Sequence, residues 1–266
     1  MKPEKMTITP SMASNWLKFN TGNRKLPTGN AKFYQRLIES GQFATTHQGL
    51  AFTGDKSNPK RLIDGQTRLV AIEKSGIPLT QWVFWECEEN TFESIDGGKP
   101  RSFIDHHGWS KDKVSFCNFI WRFTSKDLSD KMSKSDADTI WNAFGDLFSE
   151  LIANCPTNRK SITPTAVRVA AVLAMHQNED RKDEVSNQYR HLALGAVEHM
   201  VPSIGRLMVR LMGMDGGGGS VQLLQFTFSH KAFTPKNWYI TKLHGVDDTY
   251  QKSLKNYMSL LIGRNK

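Results

Sequence analysis

Around Asp64 the chain reads Leu62-Ile63-Asp64-Gly65-Gln66-Thr67-Arg68-Leu69-Val70-Ala71-Ile72, with Ser75-Gly76 beyond it. That order of residue types predicts a strand end, a tight glycine turn and the first turns of a helix. Such a junction aims backbone N–H groups, the positive end of a helix dipole and one arginine at a single spot. The spot suits a phosphate or another anion. Gly65 supplies the positive φ of the turn. Arg68 either presents a guanidinium fork to phosphate oxygens or pairs with Asp64 or Glu73 on its own helix. Asp64 and Asp96 could jointly hold a divalent metal or act as base toward a hydroxyl or water. The plainer alternative is that Asp64 caps the helix and Asp96 shapes a glycine turn.

Other reactive residue types carry less. Arg24 lies in the polar loop Asn20-Thr21-Gly22-Asn23-Arg24-Lys25-Leu26-Pro27, where it is either a ligand contact or a solvated cation. The Lys99-Pro100-Arg101 cluster either touches a nucleic-acid backbone or opens the helix led by Arg101-Ser102-Phe103-Ile104. His106 and His107 are adjacent and so point apart on a helix, which argues against chelation. His176, His191 and His199 sit in helical stretches and read as structural. Cys87, Cys117 and Cys155 are three widely spaced thiols with no zinc-ligand spacing, each expected to be buried. No structural zinc site is expected, no Ser-His-acid pattern occurs, and no glycine run is followed by the lysine of a Walker loop. Most of the aromatics fall at apolar periodic positions and read as core; Trp109 and the Trp238-Tyr239 pair are the better candidates for exposure and for stacking on bases.

The elements that must position these residues fall into two blocks. The first, residues 6–108, mixes strands and helices. A helix is expected over Ser11 to Leu17, and another over Asn30 to Ser40 with Phe33, Leu37 and Ile38 on one face and Gly41 as its stop. Strands are expected at Leu50 to Thr53, Arg61 to Ile63 and Gln81 to Glu86, with Asn58-Pro59-Lys60 turning between the first two. The second block, residues 109–266, is helical. Ser135 and Asp138 have capping-box spacing, followed by Ile140, Trp141, Phe144, Leu147, Phe148, Leu151 and Ile152 on one side. Thr163-Pro164 opens a helix over Ala166 to His176, with proline in the first turn. Further helices are expected over Glu184 to Met200, Ser203 to Leu211 and Asp248 to Ile262. The glycine run at 216–219 reads as a hinge or loop. The fold class is therefore α+β, a small N-terminal domain followed by an all-helical one.

The formal net charge of +9 and the pI near 9.4 favour a polyanionic partner, nucleic acid first. No stretch approaches the run of about 18 apolar residues that a membrane span needs. The start Met1-Lys2-Pro3-Glu4-Lys5-Met6 lacks the apolar core of a signal peptide, so a cytoplasmic protein is expected.

Three blocks in order, Asn23-Arg24, Ile63 to Leu69, and Ile95-Asp96-Gly97-Gly98-Lys99-Pro100-Arg101-Ser102, resemble the ParB/sulfiredoxin superfamily. The likeness is to the ParB-like nuclease-domain branch of phage and other mobile-element genomes, and it covers roughly residues 6 to 107. It implies a small α+β domain whose glycine turn holds nucleotide phosphates. On this likeness Asn23, Arg24, Gly65, Gln66, Thr67 and Arg68 would bind phosphate, Asp64 and Asp96 would be the catalytic candidates, and Lys99 and Arg101 would contact nucleic acid. The implied cofactor is a nucleoside triphosphate, CTP or ATP, with Mg²⁺. Where that branch has histidine this chain has Thr67, which keeps a hydroxyl donor but cannot carry charge or shuttle a proton near neutral pH. The leading expectation is thus a nucleotide- or nucleic-acid-binding protein that acts on or regulates DNA in the host cytoplasm, where it could form a homodimer. The alternatives are a metal-dependent nuclease or phosphotransferase, and a protein that engages host machinery on a ParB-like scaffold.

Overall fold

The computed structural model describes residues 1–21, 23, 28–88, 108–125, 130–156, 159, 162–214, 218–240 and 248–264. Asp96, Lys99, Arg101, His106, His107 and Arg24 lie outside the described residues, as do Gly216 and Gly217. The chain is α+β and mostly helical, and it divides into two units: Met1–Arg101 with Ser129–Lys131, and Ser102–Leu128 with Met132–Lys266. Among the described residues no helix is long and apolar enough to cross a membrane.

Alternating burial builds the sheet of the first unit. Strand β1 (Lys2–Ile8) runs antiparallel to β4 (Leu79–Trp85), with Lys5 opposite Trp82 and Ile8 opposite Leu79. On β4 every second residue, Gln81, Val83 and Trp85, is buried. Strand β4 lies parallel to β2 (Leu50–Gly54), and β2 pairs antiparallel with β3 (Pro59–Asp64), giving the order β1-β4-β2-β3. Helices α1 (Pro10–Leu17) and α2 (Thr28–Glu39) both pack against α3 (Gln66–Ser75). The core beneath them joins Phe52 and Trp85, whose rings stack with centroids 5.1 Å apart, and Trp16 meets both edge-on. The strand over Lys2–Ile8 extends the domain beyond the expected start at residue 6. The turn between β2 and β3 falls at 55–58, where Asp55 Oδ1 accepts from the amides of Ser57 and Asn58, and Pro59 already begins β3. An Asx turn supplies the reversal there, so the proline is left to start the strand.

The second unit winds around one buried helix. Its order is α4 (Lys111–Thr124), α5 (Lys134–Asn154), α6 (Thr165–Gln177), α7 (Lys182–Leu194), α8 (Pro202–Met212), α9 (Gly219–Phe233) and α10 (Asp248–Leu261). Ala166 to Met175 of α6 are all buried, with α4, α5, α7 and α9 packed around them. Small alanines at 166, 170, 171 and 174 let those neighbours approach closely.

Several boundaries differ from expectation for identifiable reasons. The capping box on α5 is Ser133 with Asp136: Ser133 Oγ accepts from the Asp136 amide at 3.1 Å and Asp136 Oδ2 from the Ser133 amide at 2.8 Å. Ser135 and Asp138 lie inside the helix, where Lys134 pairs with Asp138. Pro164 is the residue flanking α6 and lies outside its first turn. The long helix expected over Glu184 to Met200 ends at Leu194, because Gly195 adopts φ +75° and closes the helix with its amide on His191 and Leu192 carbonyls. Helix α9 has no counterpart in the sequence reading. Gln225 to His230, Ala232 and Phe233 are all buried, so its second half lacks the one-sided stripe that reveals a helix. Trp238, one of the candidates for exposure, is 4% exposed, with Nε1 donating to the Phe233 carbonyl and Arg181 over its ring. Its neighbour Tyr239 is exposed. Trp109 is half-buried with the Lys113 ammonium 3.7 Å from its ring centre. The three cysteines are buried and reduced, as expected.

Candidate functional site

Strand β3 ends at Asp64, Gly65 turns the chain with φ 101° and ψ 7°, and α3 starts at Gln66. The glycine is needed twice over. Its φ lies in the left-handed region, and a Cβ there would stand 2.2 Å from Leu50 Cδ2 and 3.2 Å from Leu50 Cα. The turn thus lies close against Leu50 at the start of β2. Gly65 is also the residue preceding the helix, and having no side chain it caps nothing. The first N–H groups of α3, on Gln66 and Thr67, therefore retain their donor capacity at the positive end of the helix. The side chains of Gln66 and Thr67 are half-buried and make no hydrogen bond among the described residues.

Asp64 and Arg68 are committed beneath this turn. Asp64 Oδ1 accepts from the Gly65 amide at 2.6 Å, and Oδ2 faces Arg68 Nη2 at 3.1 Å. Arg68 Nη1 donates to the Gln48 carbonyl at 2.5 Å, while its Nε is buried without a partner. The Arg68 side chain is 11% exposed and that of Asp64 41%. Of the readings open for Arg68, the ion pair to Asp64 is the one the structure contains, and the fork bridges Asp64 to the loop before β2. Asp64 does not cap α3 through Gln66 or Thr67; its bond goes to the Gly65 amide.

Asn23 also serves the scaffold. Its Nδ2 donates to the Leu62 carbonyl at 2.8 Å and to Asn20 Oδ1. With the Leu62 amide on the Phe19 carbonyl and Arg61 Nε on the Thr21 carbonyl, this segment closes the outer edge of β3. The structure thus brings Asp64, Gly65, Gln66, Thr67 and Arg68 together at the turn, while Asn23 sits against Leu62 of β3. Of these, Gln66 and Thr67 keep side-chain donors available.

Gln48 and Gly49 were missed by sequence reasoning. A Cβ on Gly49 would lie 2.2 Å from the Trp82 carbonyl oxygen and 2.8 Å from its carbon, so two backbones touch there. A glycine immediately before an apolar strand was the available signal. Among the described residues no group of three or more His, Cys, Asp or Glu is placed to hold a metal. His176 Nδ1 instead meets the Tyr257 hydroxyl at 3.0 Å, and the His191 ring lies tilted beside His199 with centroids 5.3 Å apart.

The arrangement can receive one anion through backbone amides, the Thr67 hydroxyl and the Gln66 amide. No family model, curated protein or solved structure matches the chain.

Proposed function

We propose that the first unit is a phosphate-binding module of ParB/sulfiredoxin type, which holds the phosphate of a nucleotide or of nucleic acid at the start of α3. Through it the protein acts on or regulates DNA, in the manner of mobile-element proteins with the same motif. The observation that carries this reading is the uncapped start of α3, held close against Leu50 at Gly65, with the Gln66 and Thr67 side chains unpartnered beside it. The ordered motif blocks support it, as does the net charge of +9. Arg68 and Asp64 act here as the brace that fixes the turn. Thr67 makes the module a grip, since its hydroxyl donates to phosphate without moving a proton.

Isothermal titration of the full chain with CTP, ATP and a short DNA duplex, each with and without Mg²⁺, tests the reading. Thr67→Glu is the discriminating variant. An acid in the first turn favours the helix by about 0.3–1 kcal/mol, so folding is preserved while phosphate is repelled. The expected result is binding by the native chain and at least about a tenfold loss in Thr67→Glu at an unchanged or raised Tm. Absence of binding to all three ligands, or equal binding by the variant, overturns the reading.

A further inference from the structure

The second unit contains a cavity of about 790 Å³ lined by residues of α4, α9 and α10. Its size falls within the range of small-molecule sites, about 300–1,000 Å³. Helical spacing shows that whole faces are given to it. On α4 these are Asn118, Phe119, Arg122 and Phe123; on α10 they are Asp248, Gln251, Lys252 and Lys255. Both helices bury their opposite sides in the core, through Phe116, Cys117 and Ile120 on α4 and Leu254 and Met258 on α10.

The chemistry of the lining is specific. The Phe119 and Phe123 rings lie nearly parallel, 11° apart, and both rest on the fully buried Phe226, at 5.3 and 4.7 Å. The two parallel rings form an apolar, aromatic wall. Lys255 Nζ is held on the Ser125 carbonyl at 2.8 Å, but Arg122 and Lys252 have no hydrogen-bond or ion-pair partner among the described residues. The Asn118 and Gln251 amides are likewise unpaired there. Against three cations the described lining sets one acid, Asp248. An aromatic wall accepts a planar ring, amides read its hydrogen-bonding edge, and two uncommitted cations suit phosphate.

We propose that this cavity is a second ligand site, independent of the α3 turn, and that it takes a nucleoside phosphate. The ring lies against Phe119 and Phe123, and the phosphate meets Arg122 and Lys252. The same chemistry is offered by a free mononucleotide and by an unpaired nucleotide of a single strand.

The test is done in the full chain carrying Thr67→Glu, so that the turn of the first unit does not contribute. Titrations use adenosine and cytidine 5′-monophosphate, adenosine, inorganic phosphate and a short oligo-dT. Expected is binding of a monophosphate that exceeds that of adenosine or phosphate alone. The double variant Arg122→Ala/Lys252→Ala, on exposed positions, should weaken it by about tenfold or more, and Phe119→Leu severalfold, with unchanged circular dichroism. Tighter binding of oligo-dT with the same variant dependence assigns the site to a strand; weaker binding assigns it to the free nucleotide. No binding of any monophosphate or of oligo-dT, or binding indifferent to these substitutions, overturns the proposal.

Discussion

His230 gives the fold of the second unit a defined acid weakness. It sits on α9 with 3% of its surface exposed, between the Tyr250 hydroxyl at 2.7 Å from Nδ1 and Gln177 Oε1 at 2.9 Å from Nε2. With Gln177 Oε1 as acceptor, the neutral ring donates from Nε2 and accepts from Tyr250 at Nδ1. Burial, with Lys236 adding repulsion, lowers its pKa from 6.5 to about 3. Tyr250, itself buried, is pushed up to about 12 and stays a neutral phenol. Because the folded pKa is depressed, the unfolded chain takes up the proton first. Stability is therefore complete above the unfolded value of 6.5 and is lost as pH falls toward about 3. The two values imply a loss of about 2 kcal/mol by about pH 5, with a limit of about 5 kcal/mol in stronger acid. The control is His230→Gln, which cannot titrate. Urea unfolding followed by hydrogen exchange at α6 and α9 amides reads the second unit alone. The stability difference between the native chain and the variant should shrink by about 2 kcal/mol between about pH 7 and about pH 5. Parallel pH profiles for the two proteins would refute the assignment of His230 as a buried neutral ring.

Two further outcomes follow from the site and from the cap of α5. Arg68→Lys should cost the first unit about 1–3 kcal/mol in urea unfolding, since a point ammonium cannot span Asp64 and the Gln48 carbonyl as the fork does; unchanged stability would show that the fork does not brace the turn. Ser133→Ala should cost about 1 kcal/mol and Ser135→Ala no more than about 0.5 kcal/mol, because Ser133 makes the reciprocal bonds with Asp136. The reverse order in thermal melts would contradict the observed capping.

The glycine turn was legible because one residue type, glycine, takes the positive φ that the turn requires. The same logic marked Gly41, which takes φ +71° just beyond α2. What surrounds the turn was less legible. Arg68 carries no mark in the sequence that its fork reaches a backbone carbonyl twenty residues earlier. Two serines with the same spacing to an aspartate could not be told apart, and only the chain path into α5 selects Ser133. Helix α9 escaped notice because its buried second half has no polar face to set a period. Trp238 was a candidate for exposure beside its polar neighbours Lys236 and Asn237, yet a side chain of that size found room in the core while Tyr239 took the solvent.

The state of Asp64 and Arg68 also ranks gripping above chemistry at the turn. Each Asp64 oxygen keeps a second lone pair, so a proton can reach the carboxylate with both contacts in place. Protonation nevertheless removes the charge that those contacts answer to. The bond from the Gly65 amide weakens, and Arg68, 11% exposed and already holding a buried unpartnered Nε, loses its counter-ion. Hydrogen bonds to charged groups are the stronger ones, so taking up a proton here weakens both contacts. Binding an anion at the Gln66 and Thr67 donors disturbs neither bond and adds charge where the helix dipole favours it. The same brace that would hinder a catalytic Asp64 keeps the binding donors in fixed positions, which lowers the ordering cost of gripping a phosphate.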